Sequence, residues 1–222
     1  MIPEQTPASP LALQKRALRE RAYSARDAQS DKEQNSAWIC KAFTSLPAFQ
    51  NAETILLYLS CRSEVRTRET VHAALGGEKR IVIPYCTLDD AGRNKLGLWW
   101  LESLDELIPG MWNILEPPKS RRGESGKEID PRNLDLIMVP GVAFDVRGGR
   151  LGNGQGYYDR LLAAVRPDCE LIGVGFESQI FEEIPMGSFD IRLDGVITEK
   201  HFYPGKGRSN NPPIHFDHKG HG

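Results

Sequence analysis

Between Gly148 and Arg160 the chain reads Gly-Gly-Arg-Leu-Gly-Asn-Gly-Gln-Gly-Tyr-Tyr-Asp-Arg, with five glycines set around Arg150. Ahead of it lies Asp135-Leu-Ile-Met-Val-Pro140, an apolar run with the length of a buried strand, and after it Tyr158 to Val165 has helical spacing. The order strand, glycine loop, helix is that of an α/β chain with an anion site at the turn. Glycine lets the backbone approach an anion closely, and the N–H groups at the following helix start carry partial positive charge. A tight hairpin over Asp145 to Gly149 accounts for two of the glycines but not for the alternating Gly152, Gly154 and Gly156. Walker A needs Gly-Lys-Ser/Thr where this chain has Gly156-Tyr157-Tyr158, and the alternation does not fit Gly-x-Gly-x-x-Gly. The loop reads as a polyphosphate site of neither common kind.

Short apolar or β-branched runs at Thr54–Leu59, Arg80–Tyr85, Leu96–Trp100, Leu134–Pro140, Leu171–Phe176 and Gly195–Thr198 predict strands, several of them apolar on both faces. Helix-like segments at Thr67–Leu75 and Gly156–Val165 lie between pairs of these runs, so right-handed parallel crossovers are the economical connection. Leu11 to Gln29 is an amphipathic helix with Lys15, Arg19 and Arg26 along one edge, and a second helix is expected from an Asp31 cap to Leu46. The fold expected is an α/β three-layer sandwich. Lys119 to Asp130, with Arg121 and Arg122, alternates in charge and is expected to be a mobile, solvated loop.

The chain's 222 residues suit one domain, expected over 11–204 between a flexible stretch 1–10 and a disordered tail 205–222. A net charge of −2 gives no general attraction to nucleic acid or anionic membrane, so neither is expected as a partner and any anion site must be local. Cys40, Cys61, Cys86 and Cys169 are too widely spaced for a metal motif and read as reduced core thiols. His215, His218 and His221 offer at best an adventitious metal site. With no apolar leader and no long apolar run, a cytoplasmic protein is expected, and a monomer.

The segment from Pro140-Gly-Val-Ala-Phe-Asp145 to Arg160 resembles the signature of the 5-formyltetrahydrofolate cyclo-ligases, or 5,10-methenyltetrahydrofolate synthetases. That pattern runs Pro-Gly, two residues, Phe-Asp, a short turn, Arg-Leu/Ile-Gly, one residue, Gly, one residue, Gly-Tyr/Phe-Tyr-Asp, and every fixed position is filled. The resemblance covers residues 11 to 200. It implies an open, mostly parallel, Rossmann-like sheet and an ATP site built from Lys15, Arg16, Arg19 and the loop Arg150, Leu151, Gly152, Asn153, Gly154, Gln155, Gly156, Tyr157 and Tyr158, with Arg150 and Lys15 as catalytic cations. Lys15 and Arg19 at i, i+4 point the same way, which agrees with this role, although on sequence alone they read as a solvated face. Some relatives have Arg and Lys where this chain has Asn153 and Gln155. Backbone N–H groups, Arg150 and the first-helix cations are then left to neutralise phosphate.

The same resemblance implies a magnesium site at Asp159 and at Asp190 of Pro185-Met-Gly-Ser-Phe-Asp190, with Asp194 read as a structural strand residue. Leu59, Glu64, Tyr85 and Trp112, together with Asn153, Gly154, Gln155, Gly156 and Tyr157, are expected to contact the folate. The carboxylate of Glu64 is suited to accept hydrogen bonds from pterin N–H groups. One of Tyr157 and Tyr158 is expected to pack and the other to line the cleft. The reaction implied is ATP- and Mg²⁺-dependent cyclisation of 5-formyltetrahydrofolate, with ADP and phosphate released. A nucleotide- or folate-binding module without turnover and a sugar-phosphate isomerase of similar architecture remain as alternatives.

Overall fold

Proline at the first turn of a helix loses no hydrogen bond, and Pro10 opens helix α1 (Pro10–Asp27) in the computed structural model, which describes residues 9–110 and 113–208. Ser9 Oγ caps it, accepting from the Ala12 N–H at 3.2 Å. Helix α2 (Lys32–Thr44) stops ahead of Pro47, which starts the short α3 (Pro47–Asn51). Asp31 does precede α2, but in a left-handed conformation with no side-chain capping bond. Strand β1 (Thr54–Leu56), helix α4 (Arg68–Leu75), β2 (Arg80–Leu88) and β3 (Asn94–Leu101) follow. After the small β4 (Ile108–Pro109) and β5 (Leu115–Glu116) come β6 (Leu136–Pro140), β7 (Ala143–Asp145), β8 (Arg150–Leu151) and α5 (Tyr157–Ala164). The chain continues through β9 (Glu170–Val174), β10 (Ile180–Phe181), β11 (Gly195–Ile197) and β12 (Phe202–Pro204).

All six expected strands lie in one seven-stranded sheet of order β12-β11-β9-β6-β1-β2-β3. The five inner strands are parallel, and antiparallel β3 and β12 close the edges. Successive side chains alternate between faces: Ile55 and Leu57 meet Ile39, Phe43 and Val71 of α2 and α4, while Leu56 joins Leu161 and Leu162 of α5 on the other side. These are the expected three layers.

Helix α4 carries β1 to β2 and α5 lies between β6 and β9, so the two crossovers leave the centre of the sheet in opposite directions and on opposite faces. The neighbours β1 and β6 therefore flank a topological switch point, where open α/β sheets leave a crevice outside the carboxyl ends of their strands.

Three expectations change. The glycine run is not one loop, because β7 and β8 form a hairpin within it, in a second sheet of order β10-β7-β8 that packs against Leu18 and Ala22 of α1. Asp145 holds the turn by accepting from the N–H groups of Arg147 at 2.8 Å and Gly149 at 2.9 Å. Gly148 sits there at φ +83°, with Leu193 O where a β-carbon would go. The hairpin therefore uses two glycines and leaves three for the loop before α5. Lys119–Asp130 is largely exposed, as expected, but two of its cations are drawn in: Lys127 is buried between Glu102 and Glu106 against Trp99 and Trp100, and Arg122 pairs with Glu116 at 2.8 Å. Finally, Gly205–Arg208, expected in the tail, is tied to the body by bonds from Gly205 N to Asp194 O and from Arg208 to the carbonyls of Arg166 and Pro167. Trp112 and the three C-terminal histidines lie outside the described residues.

Candidate active site

The crevice at the switch point is a cavity of about 320 Å³. Its floor comes from the carboxyl ends of the parallel strands: Tyr58 and Leu59 beyond β1, Pro84 to Cys86 on β2, and Pro140 to Val142 at and just past the end of β6. One wall is the connection from β8 into α5, with Arg150 and Gly152 through Asp159. The other is the β1-to-α4 loop with Cys61, Arg62 and Glu64, backed by Tyr23 and Arg26 of α1.

The glycine-loop wall is built from local geometry. Gly156 caps α5 at φ +68°, a conformation costly for residues with a β-carbon, and one placed there would lie 2.8 Å from the Arg160 guanidinium. The first turn of α5 leaves backbone N–H groups without helical partners at the cavity edge. Arg150 is buried, reaches Pro140 O at 3.2 Å and Asp159 Oδ1 at 2.6 Å, and lies 5.5 Å over the Tyr158 ring. From α1, Arg19 donates to Gly152 O at 2.8 Å and Tyr23 Oη bonds the Asn153 side chain, so the first helix clasps the loop.

The opposite wall carries the Glu64 carboxylate, the guanidinium groups of Arg26 and Arg62, and aromatic surface. Glu64 accepts from the Cys61 N–H at 2.9 Å. Burial pushes its carboxyl above the usual glutamate range, against the Cys61 bond and the charges of Arg26, Arg62 and Arg66, which pull it down. Tyr85 donates from its hydroxyl to Glu128 Oε1 at 2.7 Å, and the Arg122 guanidinium lies 4.6 Å over its ring. Burial raises the thiols of Cys61 and Cys86, so both stay protonated at neutral pH.

This pairing of walls, phosphate-side donors facing a carboxylate and an aromatic ring, sits in the part of the chain that a family model also recognises. The model described as the 5-formyltetrahydrofolate cyclo-ligase family matches residues 11–199. The chain belongs to this family. It is 33% identical over 174 residues to the "Probable 5-formyltetrahydrofolate cyclo-ligase" of Schizosaccharomyces pombe, covering 72% of this chain and 81% of that one. The 5-formyltetrahydrofolate cyclo-ligase of Escherichia coli is 31% identical over 154 residues, 68% of this chain and 81% of its own. The solved structure of a 5,10-methenyltetrahydrofolate synthetase from Aquifex aeolicus is 30% identical, with a TM-score of 0.73 over 93% of this chain and 99% of that one.

Within this cyclo-ligase chain the expected site residues divide into three groups. Leu59, Glu64, Tyr85, Arg150, Gly152, Asn153, Gly154, Gln155, Gly156, Tyr157, Tyr158 and Asp159 all line the cavity. Both tyrosines do so while also packing on the α5 core, rather than one each. Lys15, Arg19 and Asp190 stand behind that lining: Lys15 is paired with Asp190, whose carboxylate also accepts from Gly187 N, and Arg19 touches the loop backbone. Arg16 and Leu151 are not brought to the cavity. Arg16 is 77% exposed and pairs with Glu20 on the outer face of α1, while Leu151 is buried against α1. Asp194 accepts from the Leu171 N–H at 2.8 Å, a sheet contact as expected. No three His, Cys, Asp or Glu side chains come together as a metal cluster among the described residues.

Residues missed from the sequence include Tyr23, Arg26, Tyr58 and Glu116, and the thiols of Cys61 and Cys86 face the cavity rather than the core. A signal existed for the first two. Tyr23 and Arg26 continue the helical stripe of Lys15 and Arg19 at successive i+4 and i+3 steps. No helix among the described residues is long and apolar enough to cross a membrane.

Proposed function

We propose that the cavity carries out the ATP-driven cyclisation of 5-formyltetrahydrofolate to 5,10-methenyltetrahydrofolate, with ADP and phosphate as the other products. The observation that carries this reading is the meeting, in one switch-point cavity, of a wall suited to phosphate with a wall suited to a pterin. A formamide oxygen is a poor leaving group. Transfer of the γ-phosphoryl group to that oxygen makes an imidate phosphate; nitrogen 10 then attacks the same carbon and gives up its proton to the departing phosphate or solvent, the carbon–oxygen bond breaks, and phosphate departs with the oxygen. Such chemistry asks the protein for alignment and positive charge rather than a nucleophile.

In this reading the N–H groups at the α5 start and Arg150 hold the transferring phosphoryl group, with Arg19 fixing the loop through Gly152 O and Lys15 adding charge from α1. Glu64 accepts hydrogen bonds from the pterin ring, and Tyr85 and Leu59 flank its faces. Asp159 and Asp190 are hard oxygen donors beside these cations, a set that suits Mg²⁺ because that ion keeps waters and takes one or two carboxylates alongside phosphate. When bound, Mg²⁺ supplies charge stabilisation to the phosphate oxygens. The paired cations Arg150 and Lys15 then exchange a carboxylate for a phosphate partner. The four unpaired cysteines suit a reducing compartment such as the cytoplasm, where we place a monomer acting on small molecules, although one relative, from Arabidopsis thaliana, has a mitochondrial name.

The test is methenyl absorbance on adding 5-formyltetrahydrofolate with and without Mg-ATP. The reading expects product only with nucleotide. Tight binding without turnover would leave a binding module, and turnover of a sugar phosphate without ATP would leave an isomerase.

A further inference from the structure

Each of the alternating glycines of the loop before α5 leaves room for a guanidinium. A β-carbon would lie 2.9 Å from Arg150 Nη1 at Gly152, 3.2 Å from Arg19 Nη2 at Gly154 and 2.8 Å from Arg160 Nη1 at Gly156. Arg150 and Arg19 serve the phosphate wall, whereas Arg160 of α5 is not among the residues that line the cavity. Its bonds go to two carbonyls: Nη2 donates to Gln155 O at 2.8 Å, and Nε donates to Asn94 O. Asn94, the first residue of β3, donates in turn from Nδ2 to Gln155 O at 3.3 Å and to the Gln155 side chain at 3.2 Å. Two donors that stand outside the cavity thus converge on one carbonyl of a loop that lines it. In a trans peptide the carbonyl and the following N–H point in opposite directions, so holding Gln155 O on the outer side turns the Gly156 N–H toward the cavity. We infer that Asn94 and Arg160 are positioning residues, which pin Gln155 O so that the Gly156 N–H is presented to the phosphate chain of ATP.

This assignment rests on the reading of the glycine-loop wall as the phosphate side and adds to it what keeps that wall in shape. Gly154 and Gly156 adopt φ +85° and +68°, and the freedom that glycine gives the loop also lets the peptide between Gln155 and Gly156 turn over once its carbonyl is released. A turned peptide presents a carbonyl oxygen to phosphate where a donor is needed. Arg19 opposes the same motion at Gly152 O, from α1. Asn94 and Arg160 oppose it at Gln155 O, from β3 and α5, and neither has to touch the nucleotide.

Asn94→Ala and Arg160→Met each remove a donor to Gln155 O and leave every residue of the cavity lining in place. Calorimetry on the folded full-length protein, without folate or metal, should show inorganic tripolyphosphate and ATP both bound about three- to tenfold more weakly by each variant, as for one hydrogen bond lost. In turnover the KM for ATP should rise by a similar factor, while the KM for 5-formyltetrahydrofolate stays within about twofold. A pair that only stabilised the fold would lower the melting temperature and leave the affinities of the folded protein unchanged. A tripolyphosphate affinity within about twofold of the parent in either variant therefore overturns the assignment; weakening confined to Arg160→Met would mean that Arg160 acts on phosphate by its own charge. Equal rises in both KM values overturn it as well. A parent that binds tripolyphosphate but forms no methenyl product removes the cyclisation reading and leaves this assignment to the affinities, whereas a parent that binds neither ATP nor tripolyphosphate removes the phosphate wall and this assignment with it.

Discussion

Replacing Asp159 with asparagine should destabilise the ligand-free protein because it leaves a buried cation uncompensated. The Arg150 side chain is 4% exposed and its guanidinium lies 2.6 Å from Asp159 Oδ1, whereas Asp159 is 28% exposed. Removing one partner of a fully buried pair costs about 3–5 kcal/mol. Here the loss is smaller: asparagine keeps an acceptor oxygen, Arg150 keeps Pro140 O, and solvent reaches the carboxylate. The carboxylate also sits in the first turn of α5, where its charge complements the helix dipole by about 0.3–1 kcal/mol. A net loss of about 1–3 kcal/mol follows, or roughly 2–10 °C in melting temperature for a chain of this size. Urea denaturation of parent and variant, without ligand or metal, measures it. Metal-free ATP should then raise the variant's stability more than the parent's, because phosphate supplies the counter-charge that Arg150 lacks. A variant within about 0.5 kcal/mol of the parent, with equal stabilisation by ATP, would refute the pairing argument.

Glu64→Gln should weaken 5-formyltetrahydrofolate binding at least about tenfold by calorimetry, with ATP binding nearly unchanged. Because the Glu64 carboxyl is raised by burial, folate affinity of the parent should fall on acidification at a pH above the ordinary glutamate range, as protonation removes the acceptor, while the variant shows no such limb. The same raised value means that ionising Glu64 costs the ligand-free fold stability: its contribution is fully present below the unfolded pKa of about 4.3 and is lost as pH rises through the folded value, a dependence Gln removes. Arg19→Ala should raise the KM for ATP several-fold while Arg16→Ala leaves steady-state kinetics unchanged, since Arg19 holds Gly152 O and Arg16 faces solvent. Arg122→Ala should raise the KM for folate but not for ATP, by freeing the Tyr85 ring and leaving Glu116 without its cation at the cavity edge. Parallel changes in both KM values would contradict that placement.

The central sheet was legible because its strands are buried on both faces and read as unbroken apolar runs, such as Leu136 to Pro140. The short β7, β8 and β10 were not, since β7 and β8 flank the Asp145 turn beside a glycine-rich stretch that reads as loop, and β10 is only two residues long. Spacing alone placed Lys15 and Arg19 on one face of α1, but the partners they take, Asp190 and Gly152 O, depend on chain segments more than a hundred residues away. The same non-locality explains Arg122. In sequence its charge looks solvated; in the fold the Tyr85 ring, brought from β2, lies under it while Glu116, six residues back, pairs with it.

The most direct test of phosphoryl transfer to the formyl oxygen is the fate of that atom. With 5-formyltetrahydrofolate carrying heavy oxygen in the formyl group, a single turnover with Mg-ATP should yield inorganic phosphate containing one labelled oxygen, and methenyl product containing none. Label recovered in water, with unlabelled phosphate released, would show that the oxygen leaves without ever being phosphorylated and would contradict the account.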